Sequence, residues 1–279
     1  MRRFLVIAAT LSCCLVGTAA AQSTVPGEFE PSPTYAYAVF AGSGVYTLDD
    51  RRAYILRMPF SWTWRHANHE TGEWGAKLLL PVTVGVTDFD NIEDLPDLSI
   101  DNLSTLTFVP GVEFEYVLRP NLFIKPFVHT GIGWEFQDNE KTFVWGAGVR
   151  ARLALPQSNS NWLIGGEILV AGDVPGDDEP STDLSRISLG VEYKKPLSWR
   201  LGDRQTALHT QLIGYHYVDE ANFNTAQGDT TLRSTVQLGF AVGVEPAIKV
   251  LGFSMSQIGI GFRYGEDFSA ITLVTSFPF

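Results

Sequence analysis

Apolar and polar side chains alternate at every second position along most of the chain. The clearest stretch places six large apolar residues at strict period two, and these are Tyr54, Leu56, Met58, Phe60, Trp62 and Trp64. Successive side chains of a strand point to opposite faces, whereas a helix would scatter these six around its circumference. The pattern therefore predicts a β-strand with one apolar face and one mixed face, which carries Ile55, Arg57 and Ser61.

The same alternation recurs and predicts twelve segments between residues 35 and 279. Each has about ten residues, the length that a tilted strand needs to cross a bilayer. In the clear segments, glycine, threonine and charged residues share the face opposite the apolar one. We therefore predict an all-β fold, a transmembrane antiparallel β-barrel of about twelve strands closed by the C-terminal strand. Three segments alternate less cleanly, and these are 35–46, 207–218 and 248–264.

A soluble β-sandwich also alternates, and the positions of the aromatic residues distinguish the two folds. A sandwich packs two sheets over a shared core, whereas a membrane barrel carries aromatic girdles at both lipid–water interfaces. Aromatic residues here collect at the segment ends, with Trp62, Trp64, Trp74, Tyr116, Trp162, Tyr193, Phe277 and Phe279 at one end and Trp134, Phe136, Phe143, Trp145, Tyr215, Tyr264 and Phe268 at the other. This distribution favours the membrane barrel.

The N-terminus has the composition of a secretory signal peptide. Two arginines precede an apolar run over residues 4–16, and Ala19 and Ala21 fit a small-residue cleavage site before Gln22. The predicted organisation is a signal peptide over residues 1–21, a short periplasmic segment over 22–34 and an outer-membrane β-barrel over 35–279.

A lipoprotein signal is the rival interpretation of this N-terminus. It needs an aliphatic residue three positions before the lipidated cysteine and a small residue directly before it. Cys13 has Thr10 at the first place, and Cys14 has Cys13 at the second. Cleavage after Ala21 is therefore favoured, and it leaves a mature chain with no thiol, disulfide or Cys-ligated metal.

The charge of the chain is strongly acidic. The full chain has 20 basic and 31 acidic residues, and loss of the two arginines in the signal peptide changes the net charge from −11 to −13. Nucleic acid is therefore excluded as an expected partner. The long acidic connections 88–102 and 173–183 are predicted to face outward and the short ones to face the periplasm. Outer-membrane lipid and lipopolysaccharide are the expected surroundings.

Charged side chains of both signs fall on the mixed faces and are predicted to face the lumen. They are Lys77, Glu113, Glu115, Lys125, His129, Glu135, Arg150, Arg152, Glu167, Arg186, Glu192, Lys194, Arg233 and Arg263. Buried charges must be paired, so mixed signs favour a lattice of ion pairs that largely fills the lumen. A conduction path remains the alternative, although a selective pore would favour one sign.

No catalytic residue, cofactor or metal ligand is predicted. An outer-membrane phospholipase uses a His-x-Ser pair, but the second residues after His129, His209 and His216 are Gly, Gln and Val, and the Asp-x-His pair of omptin-type proteases does not occur. The acidic run 88–94 lacks the glycine and the final glutamate of a calcium loop. The run 66–69 offers two histidines without further ligands nearby.

The hairpin over residues 37–60 and the glycine-rich end 259–264 resemble the translocator domain of autotransporters. The resemblance implies a solitary autotransporter-like barrel of a Gram-negative bacterium, located in the outer membrane and without an assigned activity. Only residues 22–34 precede the first predicted strand, and their prolines oppose the helix that threads an autotransporter pore. Secretion of a passenger is therefore not expected.

The last residues resemble the closing strand of outer-membrane barrels, in which a terminal phenylalanine is bound by the barrel assembly machinery. The resemblance implies that Leu273, Phe277 and Phe279 form this assembly signal, and that the machinery is a partner. We expect a non-enzymatic barrel with a structural or interaction role. The alternative is a narrow porin for small solutes.

Overall fold

A computed structural model describes residues 39–48, 51–88, 105–136, 140–157, 160–176, 181–225, 228–250 and 253–279. These residues belong to one compact unit, Ser32–Phe279. The predicted signal peptide, the segment 22–34 and most of the acidic connection 88–102 lie outside the described residues.

The described residues form thirteen strands. They are β1 (Gly44–Leu48), β2 (Arg51–Arg65), β3 (Gly75–Asp88), β4 (Thr105–Phe108), β5 (Gly111–Arg119), β6 (Leu122–Glu135), β7 (Lys141–Gln157), β8 (Ser160–Pro175), β9 (Thr182–Leu201), β10 (Arg204–Thr225), β11 (Gly228–Val250), β12 (Phe253–Gly265) and β13 (Phe268–Val274).

The sheet closes on itself with twelve positions around the barrel. Strand β1 pairs antiparallel with β2 on one side and with β13 on the other, so β13 is the closing strand. Strands β4 and β5 both lie between β3 and β6 and form two parts of one barrel strand. They are separated at Val109 and Pro110, where proline supplies no N–H for the ladder. The predicted twelve-stranded all-β barrel is confirmed, and the pairing of β1 with β13 closes it.

The two faces of the barrel differ in polarity. Large apolar side chains are exposed on the outer face, and Leu189, for example, is 68% exposed. Its neighbours on the chain, Ser188 and Gly190, face inward, and Ser188 is buried. This alternation is that of a transmembrane barrel, whose outer surface contacts lipid. No helix among the described residues is long and apolar enough to cross a membrane.

The first strand begins later than the sequence predicts. Residues 39–41 are helical, and β1 starts only at Gly44. Val39 is buried and packs with Val109 and Val144, which are inward-facing residues of other strands. The strand prediction for residues 39–43 was therefore wrong, because interior packing and not alternation determines the conformation there.

The last strand ends earlier than predicted. Strand β13 stops at Val274, and residues 275–279 are not part of the sheet. The reason is the short partner β1, whose first residue Gly44 pairs with Thr272. One further bond runs from Leu273 N to Ser43 O at 2.9 Å. Beyond it, residues 275–279 have no β1 residue to pair with, so they leave the wall.

Some of the described side chains face the opposite side from the one predicted. Arg233 is exposed and the preceding Leu232 is buried, because the ladder between β10 and β11 has an irregularity at this level and the alternation changes phase. Tyr215 lines the interior between Ile213 and Tyr217, and Phe268 is buried. Both therefore lie in the lumen and not in an aromatic girdle.

The predicted outer connection 173–183 is shorter in the structure. Strand β8 continues to Pro175 and β9 begins at Thr182. Asp173 is a buried residue of β8. Only the middle of the predicted segment therefore connects the two strands.

Candidate functional site

The lumen is the candidate functional site, because the polar and charged side chains of the barrel meet there. An apolar cluster lies at the level of the β12–β13 turn and includes Tyr46, Ile55, Phe127, Leu169 and Tyr217. Alternation alone did not predict this cluster. These residues occupy positions of the inner face that the sequence pattern treats as polar.

A network of ion pairs crosses the middle of the lumen. Arg150 Nη1 lies 2.9 Å from Glu113 Oε2, and Arg150 Nε lies 2.7 Å from Glu167 Oε2. Arg186 Nη2 binds the other oxygen of Glu167 at 2.8 Å. The Arg150 guanidinium also lies 4.0 Å from the centre of the Phe127 ring. Strands β5, β7, β8 and β9 are thus linked by charge-assisted hydrogen bonds, which are stronger than neutral ones.

Two arginines flank the ring of Tyr215. The Arg263 guanidinium lies 3.9 Å from the ring centre and that of Arg186 lies 5.3 Å from it. Arg263 also donates to Thr235 Oγ1 at 2.8 Å and to Tyr217 Oη at 2.6 Å. Arg263 is among the largest fully buried side chains. Cation–π contacts of this kind gain strength when they are shielded from water.

The helical turn at residues 39–41 lies inside the lumen. The carbonyl oxygen of Phe40 accepts a hydrogen bond from Arg186 Nη1 at 3.1 Å. The Phe40 ring packs edge-on against His129 with ring centres 5.8 Å apart. A Cβ added at Gly146 would lie 2.9 Å from Phe40 Cε2. The helical turn at residues 39–41 thus contacts both the barrel wall and the ion-pair network.

Residues 275–279 fold into the lumen from the same seam. The Phe279 side chain is only 4% exposed. A Cβ added at Gly165 would lie 2.5 Å from Phe279 Cδ2, and one at Gly190 would lie 2.8 Å from Phe279 Cε2. The ring therefore occupies a notch that two glycines of β8 and β9 leave open. Phe277 packs on Phe279 with ring centres 5.0 Å apart.

A second polar cluster lies closer to the β9–β10 turn. His209 Nδ1 donates to Glu192 Oε1 at 3.0 Å, and Gln257 Nε2 donates to Glu192 Oε2 at 3.2 Å. Lys194 and Glu245 form a further ion pair beside them. His209, Lys194 and Glu245 line a cavity of about 30 Å³, which has room for a water molecule.

The charged residues predicted to face the lumen differ in how deeply they are buried. Glu113, His129, Glu167, Arg186, Glu192 and Arg263 are buried, whereas Lys77, Glu115, Lys125, Glu135, Arg150, Arg152 and Lys194 are partly buried. Arg150 joins the network with Glu113 and Glu167, and Lys125 lies 3.7 Å from Glu115.

Sequence reasoning missed four described residues that lie in the candidate site. Arg57 and His209 face the lumen although neither was among the predicted charges. The alternation around Ile55 already indicated the position of Arg57. Phe40 and Phe279 were assigned to strands, and no signal in the sequence marks them as lumen residues.

The predicted assembly residues do not share one face. Leu273 is exposed on the outer face of β13, whereas Phe279 is buried in the lumen. The expectation that the Phe279 ring lies at the lipid interface was wrong. Its role in assembly stays a prediction.

No protein-family model matches the chain, and no curated protein sequence matches it. Among solved structures, the chain is similar to the β domain of the Bordetella autotransporter BrkA, at 10% identity and a TM-score of 0.48. The similarity covers 84% of this chain and 96% of that chain. At this identity and TM-score the similarity carries no information about activity.

Proposed function

We propose that the protein is a non-enzymatic barrel of the bacterial outer membrane, with a structural or interaction role and a closed, largely charge-filled lumen. The observation that carries the proposal is the entry of both residues 39–41 and residues 275–279 into the lumen. Between them lies the network of Glu113, Arg150, Glu167 and Arg186. A barrel filled in this way has little room for a continuous water path.

The outer surface and the cavities support the same proposal. Exposed apolar side chains such as Trp62 and Leu189 favour a lipid environment. Two cavities in the described part of the barrel, of about 30 and 130 Å³, are smaller than the roughly 300–1,000 Å³ of typical ligand pockets. Export by a cleaved signal peptide, recognition by the barrel assembly machinery and contact with lipopolysaccharide belong to the same proposal.

Single-channel recording in planar lipid bilayers tests the closed lumen. We expect the refolded wild-type barrel to show no stable open level. The double variant Phe40→Ala, Phe279→Ala removes the two rings that enter the lumen from the seam between β1 and β13, and it is expected to produce openings. The double variant Leu189→Ala, Leu212→Ala, altered only on the outer face, serves as the matched control.

A narrow porin is the alternative function. Charged residues of both signs line the lumen, and a cavity of about 130 Å³ lies beside residues 41–43. A stable, reproducible conductance of the wild-type protein would establish the porin and reject the closed lumen.

A further inference from the structure

Among the described residues around Arg150, one guanidinium group has no carboxylate partner. The network joins Arg150 and Arg186 to Glu113 and Glu167. Arg57 on β2 lies within electrostatic range of Arg150, Arg186 and Glu167, yet it forms no ion pair with a described residue. These three arginines therefore face two glutamates.

The Arg57 side chain has unmet hydrogen-bonding capacity. Its Nε is buried without a hydrogen-bond partner. Arginine keeps its charge in proteins, so it does not become neutral as a buried lysine does. Even a partly buried charge without an ion-pair partner is costly. A bound anion would remove this cost.

A cavity of about 130 Å³ lies against Arg57. Its polar lining also includes Gln211, Gln237 and Thr272, and none of the described residues that line it is acidic. Gln211 is 3% exposed and Thr272 is 6% exposed, and both Gln211 Oε1 and Thr272 Oγ1 lack a hydrogen-bond partner. The Thr272 hydroxyl can donate, and a half-turn of the Gln211 amide presents its NH₂ group to the cavity.

The backbone around the cavity is fixed. Ser43 Oγ donates to Arg57 O at 3.0 Å and accepts from Arg57 N at 2.9 Å. Ser43 thereby ties the segment before β1 to strand β2. Tyr215 Oη donates to Gln237 Oε1 at 3.4 Å, which leaves the Gln237 amide nitrogen as a donor. The cavity is thus bordered by donors on β2, β10, β11 and β13.

We propose that Arg57, Gln211, Gln237 and Thr272 form a binding site for a small oxyanion, namely a phosphate or carboxylate group. A guanidinium presents paired donors to the two oxygens of such a group. The volume of about 130 Å³ is several times the roughly 10–15 Å³ that a cavity needs to hold one water. It therefore admits an ion of the size of phosphate or acetate.

Thermal unfolding of the full-length barrel, refolded in zwitterionic detergent, tests the site. Sodium phosphate and sodium acetate are compared with sodium chloride at equal ionic strength, which distinguishes the two anion classes from each other and from salt. At a hundredfold excess over the dissociation constant, a ligand shifts the folded-to-unfolded ratio about a hundredfold. For a chain of this size, that corresponds to a rise of roughly 5–10 °C in the midpoint.

Arg57→Gln is expected to abolish the anion-specific rise, and Thr272→Val to reduce it. Arg65→Gln is the matched control, because Arg65 belongs to the same strand and is paired with Glu73 at the surface. An equal rise in chloride, or an undiminished rise in Arg57→Gln, overturns the proposal.

A direct measurement on the wild-type protein keeps the test decisive if Arg57→Gln does not fold. The ³¹P resonance of inorganic phosphate should broaden saturably with wild-type protein and less with Thr272→Val. Absence of saturable broadening, together with no midpoint shift in acetate, overturns the proposal. The closed lumen is tested separately by conductance, so the two proposals fail independently.

Discussion

Replacement of Phe279 by alanine should destabilise the barrel more than the loss of a ring at the lipid interface would. A half-buried ring at a lipid interface contributes about 1–2 kcal/mol. The Phe279 ring is instead 4% exposed and lies against Gly165 and Gly190. Removal of a buried phenylalanine costs about 3–5 kcal/mol, because it leaves a cavity. We expect Phe279→Ala to lower the free energy of unfolding by roughly 3 kcal/mol.

The close approach of Phe279 to Gly165 allows a more specific test of this prediction. All three nearest atoms to a Cβ added at Gly165 belong to Phe279. Gly165→Ala should therefore cost about 1–3 kcal/mol through overpacking. In a Phe279→Gly background, which also removes the Phe279 Cβ that lies 2.5 Å away, the added methyl group enters vacant space, and its cost should nearly vanish. The coupling energy of this double-mutant cycle should be about 1–3 kcal/mol.

The assay is urea unfolding of the detergent-refolded protein, followed by the fluorescence of its tryptophans and evaluated by linear extrapolation. Gly214→Ala is the matched control, since a Cβ there would have only one neighbour, Leu189 O, at 4.0 Å. Its effect should be the same with and without Phe279. Equal costs of Gly165→Ala in both backgrounds would refute the position of the ring.

Three further predictions concern the ion pairs, the topology and assembly. Glu167→Gln should cost about 3–5 kcal/mol in the same urea assay, since it leaves the buried guanidinium of Arg186 and the partly buried one of Arg150 without their shared carboxylate. Glu115→Gln, which breaks a more exposed pair, should cost at most about 1 kcal/mol, and equal costs of the two variants would contradict a stabilising network of ion pairs. An epitope inserted after Asp178, outside the described residues, should be labelled on intact cells, and labelling only after permeabilisation would reverse the topology. Leu273→Ala, altered on the outer face, should refold in detergent like wild type but reach the outer membrane in severalfold lower amount, and normal amounts in the membrane would exclude Leu273 from the assembly signal.

The strands of the barrel wall could be predicted from the sequence, but some of the residues inside the lumen could not. Alternation around Leu56 and Ile55 fixes which side chains face lipid, because the period of two is a local property of extended backbone. The same alternation gave the inward positions of Glu113, Glu167 and Arg186. Arg233 departs from it, because an irregularity in the ladder with β10 shifts the phase. Such a shift depends on the partner strand and leaves no mark in the local pattern.

The sequence by itself determined the all-β class, the number of barrel strands and the apolar outer surface. These follow from the repeated length and period of the segments, which each strand carries on its own. Only the tertiary structure decided where residues 39–41 and 275–279 lie. Their place depends on how short β1 and β13 are and on the space that Gly146, Gly165 and Gly190 leave on distant strands. Contacts between residues so far apart in the chain arise only when the barrel closes.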